Sequence, residues 1–457
     1  MRKIFLFILP ALLMSSCGLY NKYERPDIMT TGLIRDSASI TDTLVARDTT
    51  SFANIPWRSV FTDPYLQGLI EKGLANNADL LNAALNVKTV EAALKAAKLA
   101  FIPQVTFSPS GSISSFDGGE ATKAYSLPFN ASWTVDLFGG LLNAKRGAQM
   151  TLLATQDYQV VVQTKLIAGI ANLYYTLLML DKEVEIMDEM IALSQETYDI
   201  MSLQFKLGTT KSTSVLSAQS SLMSMKARKI DLLRQIRESE NALSLLVGQP
   251  AQTIARGKMD DQSLPETFST GVGIQLLKNR ADVHYYEMTL ANCFYDVQAA
   301  RAAFYPNITI SGTGSFTNSS GTVNPGKWLL SAVGSLVQPI FMNGKLTYQL
   351  RAAENEYQKA LNNWQNSVLT AGSEVSDALV QYNSYAEKSA LEAEQLQVLK
   401  KIVDDTRLLY KQSGSTYLEV ITAQTNLVNT QLSKVADDLY KMQAVVSLYQ
   451  ALGGGAK

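Results

Sequence analysis

Hydrophobic and polar residues alternate along residues 125–137 of the chain. The odd positions are apolar, with an aromatic ring at three of them, and the even positions are mostly polar. Successive side chains of a β-strand point to opposite faces, so this pattern predicts a strand with one apolar and one polar face. The same pattern predicts a strand over residues 308–317, and weaker versions predict two more over 105–113 and 328–340.

Two settings produce strands of this kind. In a soluble sandwich the apolar face is buried against a second sheet, whereas in a membrane barrel it meets lipid and the polar face meets water. The aromatic residues and the long helices that flank the strands favour the barrel. Residues 116–122 and 318–326 are rich in Gly, Asp, Ser and Asn, which predicts two hairpins. The predicted lipid-facing residues are Tyr125, Phe129, Trp133 and Phe316.

A different spacing governs residues 140–208, which contain no proline. From Leu166 to Phe205, apolar residues recur at alternating intervals of four and three, as in a coiled-coil seam. A single helix of about 65–70 residues would be about 100 Å long. The alternative is a set of shorter helices that break at Gly169. The spacing recurs over residues 428–449, which predicts another long helix near the C-terminus.

The sequence contains an internal repeat. Residues 97–106 (AKLAFIPQVT) resemble residues 300–309 (ARAAFYPNIT), which lie 203 positions later. Farther along, residues 215–219 (VLSAQ) resemble residues 420–424 (VITAQ), 205 positions later. Each half is therefore predicted to contain the same elements in the same order: a helix, a strand pair, a very long helix, a turn and a long helix.

The number of strands predicts an assembly. Four strands per chain cannot close a membrane barrel, which needs about eight, and an open sheet would expose unpaired backbone groups to lipid. Two chains would give eight strands around a filled interior, whereas three would give twelve around a lumen. The Ser- and Thr-rich face suits a lumen. The predicted fold class is mainly α with membrane β: a long α-helical coiled-coil barrel, plus four strands per chain in a 12-stranded trimeric β-barrel.

The N-terminus resembles an export signal. Residues 1–3 are positively charged at two positions, and residues 4–14 form an apolar segment too short to span a bilayer. The following Ser15-Ser16-Cys17 resembles a bacterial lipobox, in which the Cys17 thiol takes a diacylglycerol and the new N-terminus receives an acyl chain such as palmitate. The alternative is an ordinary signal peptide that contains a cysteine. No later apolar run reaches about 18 residues, so no transmembrane helix is expected.

The composition argues against several classes of function. With 40 Lys+Arg and 41 Asp+Glu the net charge is −1, which argues against binding to nucleic acid. Two cysteines and one histidine exclude a disulfide scaffold and any site with two histidine ligands from one chain. We expect no metal and no cofactor. The sequence has no G-x-S-x-G motif and no phosphate-binding loop, so an enzyme is not expected.

Six short motifs together resemble the TolC-type outer membrane factors, in particular the lipoprotein branch of RND-type efflux systems. They are residues 57–66 (WRSVFTDPYL), 77–80 (NADL), 100–103 (AFIP), 136–139 (DLFG), 280–283 (RADV) and 417–424 (YLEVITAQ). The resemblance covers nearly all of the chain after the signal. It implies a homotrimer in the outer membrane of a Gram-negative bacterium, serving as the exit duct of a tripartite efflux system.

The resemblance also implies the partners. These are a periplasmic adaptor (membrane fusion) protein, an inner-membrane pump of the RND type that supplies the energy, and outer-membrane lipid. Two other functions remain open from the sequence: a lipid-anchored helical surface or adhesion protein, and the exit channel of a type I protein-secretion system. The cargo is expected to depend on the pump.

The helix turns near Gly208 and Gly414 are expected to close the periplasmic end of the duct. The resemblance implies that a tyrosine and an acidic residue near the second turn form this gate, and Tyr410 and Glu419 match them. Three copies of Glu419 around one axis would form a negative ring that favours cations.

Part of the family's charged gate is absent from the sequence. Ser415 stands where the family commonly has arginine. Asp404, Asp405 and Arg407, one or two turns before Tyr410, are candidate substitutes. His284 is expected to be a packed helix residue rather than a pH sensor.

The expected segments are the signal peptide (1–16), a lipidated extended arm (17–56), helices before the first hairpin (57–103), the first β-hairpin (104–138), the first long helix pair (139–250), a linker (251–272), helices before the second hairpin (273–306), the second β-hairpin (307–341) and the second long helix pair (342–453).

Overall fold

The computed structural model describes residues 20–27, 33, 55–115, 117–119, 121–265, 280–318, 327–412 and 416–455. The predicted lipidation site Cys17 lies outside the described residues, as do Gly414 and Ser415 at the second helix turn. The described part of the chain consists of long α-helices and one antiparallel sheet, so the predicted fold class is confirmed.

In chain order, the described elements are α1 (Trp57–Val60), α2 (Pro64–Asn76), α3 (Ala78–Leu99), β1 (Gln104–Phe107), β2 (Ser110–Ser114), β3 (Thr122–Val135), α4 (Gly140–Lys206), α5 (Ser212–Leu246), a 3-10 turn (Met259–Asp261), α6 (Ala281–Ala302), β4 (Asn307–Asn318), β5 (Lys327–Val337), α7 (Lys345–Lys411) and α8 (Tyr417–Ala451).

The two longest helices, α4 and α7, contain 67 residues each. α4 continues without a break through Gly169, so the alternative of shorter helices that end there is wrong. A glycine inside a helix costs ~1 kcal/mol relative to alanine. Burial of the seam offsets this cost, because Ile170, Leu177 and Leu180 are buried in the core. Among the described residues, no helix combines the length and the apolar character needed to cross a membrane.

The internal repeat is visible in the bounds of the elements. α3 begins at Ala78 and α6 at Ala281, an offset of 203. α4 begins at Gly140 and α7 at Lys345, an offset of 205, and the same offset separates the starts of α5 and α8. The segment between α6 and α7 is therefore two residues longer than the segment between α3 and α4. The helices α3 and α6, α4 and α7, and α5 and α8 have equal lengths of 22, 67 and 35 residues.

The sheet contains four strand positions. Its order is β1-β3-β4-β5, and β2 also pairs with β3. Gln104 pairs with Ser132 and Ser110 with Ser126, so β1 and β2 follow one register and occupy one position, called here the β1–β2 strand. All pairs are antiparallel, and pairing of β3 with β4 joins the two hairpins into one sheet.

The described chain divides into two units, and the sheet belongs to the first, which includes residues 84–158 and 282–367. In this unit part of the N-terminal arm lies on α6. The Arg25 guanidinium donates hydrogen bonds of 2.7 and 2.5 Å to the two oxygens of Glu287. A two-point contact of this kind fixes the direction of both side chains.

The second unit includes α1 and α2 together with residues 159–281 and 368–457. It contains the largest hydrophobic cluster, in which α1 and α2 pack with α4, α5 and α8. α2 begins with an N-cap: the Asp63 carboxylate accepts a hydrogen bond of 2.9 Å from the Tyr65 backbone, and Pro64 occupies the first turn. Fully buried side chains of this cluster include Phe61, Leu66, Ile70, Tyr174 and Leu177.

Candidate functional site

One face of the sheet is apolar. Residues that pair directly across antiparallel strands share a face. Leu127 pairs with Phe316 and Trp133 pairs with Ile310, so the apolar positions of β3 and β4 lie on the same side. All four residues predicted to face lipid are on this side. The apolar side also includes Val105, Phe107, Ile113, Leu127, Ala131, Val135, Ile308, Ile310, Leu330, Ala332 and Leu336.

The opposite face is polar along β3 and β4. Hydroxyl and amide groups pair across the strands: Ser126 Oγ lies 3.1 Å from Ser315 Oγ, and Thr313 Oγ1 donates a 3.1 Å hydrogen bond to Asn130 Oδ1. Such uncharged groups can exchange hydrogen bonds with water. This face can therefore line an aqueous space while the other face contacts lipid. β5 departs from the pattern, since Leu329, Val333 and Val337 are apolar residues on its polar side.

Both outer strands of the sheet have one unpaired edge in the described part of the chain. The β1–β2 strand pairs only with β3, and β5 pairs only with β4. Leu330 on β5 and Ile113 on the β1–β2 strand are among the most exposed apolar residues of the described part of the chain. Open edges with exposed apolar residues are sites at which another strand can add.

The second candidate site lies where α4 and α7 end. The Tyr410 hydroxyl of α7 is 2.5 Å from Gln204 Oε1 and 2.6 Å from Met201 Sδ, both on α4, and it can donate to one of them. Burial raises the pKa of Tyr410, and the hydrogen bond to Gln204 opposes this rise. Tyr410 therefore remains a neutral donor over the physiological range and links the ends of the two long helices.

A charged contact accompanies this hydrogen bond. Arg407 of α7 forms an ion pair with Glu196 of α4, and Lys411 Nζ lies 3.5 Å from the other Glu196 oxygen. Two cations thus share one carboxylate. These side chains are partly exposed, so each pair contributes about 0–1 kcal/mol. We call the contact of Arg407, Tyr410 and Lys411 with Glu196, Met201 and Gln204 the tip contact.

Glu419 lies in the first turn of α8 and forms a capping box with Thr416. Its carboxylate accepts a 3.0 Å hydrogen bond from the Thr416 backbone, and the Thr416 hydroxyl accepts one of 3.4 Å from the Glu419 backbone. Asp404 and Asp405 are exposed, and neither forms an ion pair with another described residue. Of the predicted gate residues, Arg407 and Tyr410 are therefore brought together in the tip contact.

Sequence reasoning missed the α4 side of the tip contact. Tyr410 and Gln204 are 206 positions apart, and Arg407 and Glu196 are 211 apart. Neither Glu196 nor Gln204 belongs to a motif, and the repeat aligns Glu196 with Lys401 at the offset of 205. No local spacing identifies such a contact, because it depends on how the two long helices pack.

The single histidine forms a pair in the first unit. His284 Nδ1 lies 2.6 Å from Asp157 Oδ2. This hydrogen bond raises the pKa of His284, Glu287 adds to the rise, and partial burial and Arg25 oppose it. Among the described residues, no group of three or more His, Cys, Asp or Glu side chains could hold a metal ion.

Comparisons with known proteins agree on one family. The family model described as "Outer membrane efflux protein" matches residues 69–249 and 273–454. The cation efflux system protein CusC of Escherichia coli (strain K12) is 27% identical over 454 residues, 97% of this chain and 98% of CusC. The probable outer membrane lipoprotein SilC of Salmonella typhimurium is 26% identical over 451 residues, 96% of this chain and 95% of SilC.

A solved structure shows the same fold. The open state of the MtrE outer membrane channel of Neisseria gonorrhoeae superposes with a TM-score of 0.85 and is 23% identical. The match covers 96% of this chain and 98% of MtrE.

Proposed function

The chain belongs to the family of outer membrane efflux proteins, and from this premise we propose that it is the homotrimeric exit duct of a tripartite efflux system. It is a channel of the outer membrane and not an enzyme. Its partners are a periplasmic adaptor and an inner-membrane pump, which supplies the energy. The two other functions considered from the sequence receive no support from the comparisons.

The observation that carries this proposal is the sheet with one apolar and one polar face and two open edges. A sheet of four strand positions placed in lipid would leave backbone groups unpaired at both edges, each at a cost of several kcal/mol. Three copies supply twelve strands, which close the wall and leave room for a water-filled lumen lined by the polar face.

Mass and conductance together test this proposal. The full-length protein, purified in detergent, should have a protein mass about three times the 50.0 kDa of one chain. It should also form ion-conducting pores in a planar bilayer. A surface or adhesion protein would form no ion-conducting pores, whatever its mass in detergent. A single chain that never conducts would therefore refute the duct.

The finer assignments of anchor and pump are also proposals. Cys17 would carry the lipid that anchors the N-terminal arm, and the lipoprotein SilC, similar over nearly its whole length, supports this. Mass spectrometry of the N-terminal peptide should show an acylated Cys17. The pump would be of the RND type, as the sequence motifs indicate. An RND pump gene beside the gene for this protein would support that assignment, whereas an ATP-binding-cassette exporter gene would oppose it.

The proposed periplasmic gate consists of the tip contact and Glu419. Tyr410 and Arg407 connect the end of α7 to the end of α4, so the helix turns cannot separate unless these contacts break. Glu419 begins α8 after the second turn, where three copies would stand around the axis of the trimer. Opening would then consist of losing the tip contact and moving the turns apart.

A double substitution tests the gate. Arg407→Ala with Tyr410→Phe removes the ion pair and the hydroxyl, and we expect it to increase the conductance of single channels in a planar bilayer. Asp404→Ala is the matched control from the same helix, because Asp404 is exposed and makes no ion pair with the described residues. Equal conductance of the double variant and the wild type would remove the tip contact from the gate.

A further inference from the structure

The internal repeat allows each position between α7 and α8 to be compared with its equivalent between α4 and α5. A residue of α4 or α5 corresponds to the residue 205 positions later in α7 or α8. Equivalent positions can be alike: Ala218 and Leu222 of α5 are buried, and so are their counterparts Ala423 and Leu427 of α8. A pair of equivalent positions that differs in chemistry therefore marks a property of one half of the chain.

One buried pair differs completely between the two helix hairpins. In the first half, Met187 of α4 is 1% exposed and Leu232 of α5 is 4% exposed, and both belong to the largest hydrophobic cluster. Their counterparts in the second half are Glu392 of α7 and Asp437 of α8, which are 9% and 3% exposed. Two acidic residues thus occupy positions at which the same hairpin accommodates two apolar side chains.

The two acidic side chains meet in the interface between α7 and α8. Ser433 Oγ of α8 donates a 2.7 Å hydrogen bond to Glu392 Oε1 of α7. Lys388 Nζ of α7 lies 2.9 Å from Asp437 Oδ1 and 2.8 Å from Asp437 Oδ2 of α8. The same ammonium group is 3.8 Å from Glu392 Oε1. These contacts cross from one helix to the other and bring both carboxyl groups to one place in the interface.

The charges at this place do not balance if both acids are ionised. Among the described residues, Lys388 is the only cation within 4.0 Å of either carboxylate, and its side chain is 53% exposed. Lys434 does not make up the deficit, because it is paired with Asp438, 2.5 Å away. The Tyr385 phenol, which also acts on Lys388, supplies no positive charge. Two buried carboxylates would therefore share one solvated ammonium group.

The second oxygen of Glu392 leads to the same conclusion. Glu392 Oε2 is buried and accepts no hydrogen bond from the described residues. A buried carboxylate oxygen without a donor is costly, because it has lost water and gained no partner. A proton on Glu392 would turn this carboxyl group into a donor, and the Asp437 carboxylate is within hydrogen-bonding reach. One shared proton would also leave a single negative charge opposite Lys388.

The electrostatic surroundings of Glu392 agree with this arrangement. Burial raises the pKa of Glu392, and the hydrogen bond and negative charge of Asp437 raise it further. The hydrogen bond from Ser433 and the charge of Lys388 oppose the rise, and the pKa stays above its ordinary value. Because the two acids interact directly, their protons are lost in two steps that belong to the pair rather than to either residue.

We propose that Glu392 and Asp437 form a proton-binding site in the interface between α7 and α8. The two carboxyl groups hold one proton between them while the helices are packed together. Release of this proton to water leaves two negative charges in the buried interface, which admits water and loosens α7 from α8. The equivalent positions Met187 and Leu232 cannot ionise, so the second half of the chain acquires a response to pH that these positions do not give the first.

The sign of the pH effect follows from the proton balance. In the unfolded chain, Glu392 loses its proton around the ordinary pKa of 4.5. The folded chain holds the proton to a higher pH, so folding takes up a proton between these two pH values. The stability of the wild type should therefore fall as the pH rises from about 4.5 through the raised pKa, and it should stay lower above it.

Substitution by glutamine tests the site in full-length protein purified in detergent. Glu392→Gln can donate a hydrogen bond to Asp437 at every pH, so it imitates the protonated state. We expect its melting temperature to be close to that of the wild type at pH 5.5 and higher than that of the wild type at pH 8.5. The comparison at each pH cancels the contributions of all other titrating groups.

The matched control is Glu394→Gln, because Glu394 is an exposed residue two positions farther along α7. The control removes the same charge from the same helix and should follow the wild type at both pH values. If Glu392→Gln also followed the wild type at both pH values, or if the control gained as much stability at pH 8.5, the proton-binding site would be refuted.

The residues of the first half supply a second variant. Glu392→Met with Asp437→Leu rebuilds in the second hairpin the pair that the first hairpin contains. Replacing buried charged groups by apolar groups of similar size is often neutral or stabilising, so we expect this variant to fold. Its melting temperature relative to the wild type should increase from pH 5.5 to pH 8.5. A difference of the same size at both values would show that the pair releases no proton in this range and would overturn the proposal.

Hydrogen exchange measured by mass spectrometry tests the loosening itself. After correction for the chemical effect of pH on exchange, amides of residues 385–395 and 430–440 should exchange faster at pH 8.5 than at pH 5.5 in the wild type. This extra exchange should disappear in Glu392→Gln and persist in Glu394→Gln. Equal protection of the two segments at both pH values in the wild type would contradict the proposed loosening of α7 from α8.

Discussion

Glu419 has a role in the fold that is separate from its proposed role in the gate. Its carboxylate completes the capping box at the start of α8, so replacing it with alanine removes a cap as well as a charge. Glutamine at the same position can accept the same hydrogen bond without a charge. The two substitutions therefore separate the stability of the helix start from the electrostatics of the entrance.

Both variants should weaken the block of conductance by multivalent cations. If three ring charges each contribute ~0.5 kcal/mol, the half-blocking concentration should rise about tenfold. Planar-bilayer recordings with a trivalent cation measure this concentration. Only Glu419→Ala should also lower the melting temperature, by the loss of the cap. An unchanged block in Glu419→Gln would place the carboxylate away from the conduction path.

His284 is expected to make stability depend on pH. Its hydrogen bond to Asp157 raises its pKa in the folded protein above the ordinary value of 6.5. The stabilisation is therefore complete below about pH 6.5 and is lost as the pH rises through the raised pKa. Melting curves should show a larger deficit for His284→Gln at pH 5.5 than at pH 8.5. An equal deficit at both values would show that the charge of His284 adds no stability.

At the scale of single elements, two glycines of α2 offer a matched comparison. A Cβ at Gly73 would lie 2.4 Å from Ile170 Cδ1, inside the fully buried core, whereas a Cβ at Gly68 would meet nothing within 4 Å. Gly73→Ala should destabilise the protein by ~1–3 kcal/mol, because α2 or Ile170 must move. Gly68→Ala should stabilise it by ~0.5–1 kcal/mol through helix propensity. Denaturant titration measures both.

One result would contradict the expected difference between these two variants of α2. If Gly73→Ala were as stable as Gly68→Ala, close packing of α2 on α4 would not contribute to stability. The free energy of unfolding, rather than a change in helix content, is the quantity to compare.

The elements of this protein are predictable where neighbours in the sequence determine them. Alternation identifies the face of β3, and the spacing from Leu166 onward identifies most of α4. The pairing of Leu127 with Phe316 and the contact of Tyr410 with Gln204 are different, because they join residues from the two halves. A contact between residues far apart in sequence leaves no periodic signal, so the tip contact could be identified only from the structure.

At the scale of the whole molecule, the internal repeat determines how copies of the chain assemble. Within one chain the strands of the two halves meet at one place, the pairing of β3 with β4. Closing a ring requires the complementary junction between the second half of one copy and the first half of the next. The number of copies then depends on the lumen, since twelve strands leave space for water and eight do not.

Phe129 and Asn130 test which side of the sheet meets lipid, because they are adjacent in β3 and point to opposite faces. Phe129→Arg would place a charge on the apolar side, which costs ~2–4 kcal/mol per chain near the middle of the bilayer. We expect this variant to be depleted from purified outer membranes. Asn130→Arg places the same charge on the polar side, where it would contact water.

The Asn130→Arg variant should therefore reach the outer membrane at the level of the wild type. It should reduce the cation preference of the pore, because three arginines would line the lumen. Reversal potentials in a salt gradient measure this preference, and quantitative blotting of membrane fractions measures insertion. Normal insertion of Phe129→Arg together with failure of Asn130→Arg would mean that the polar face meets lipid, and the assignment of the two faces would have to be exchanged.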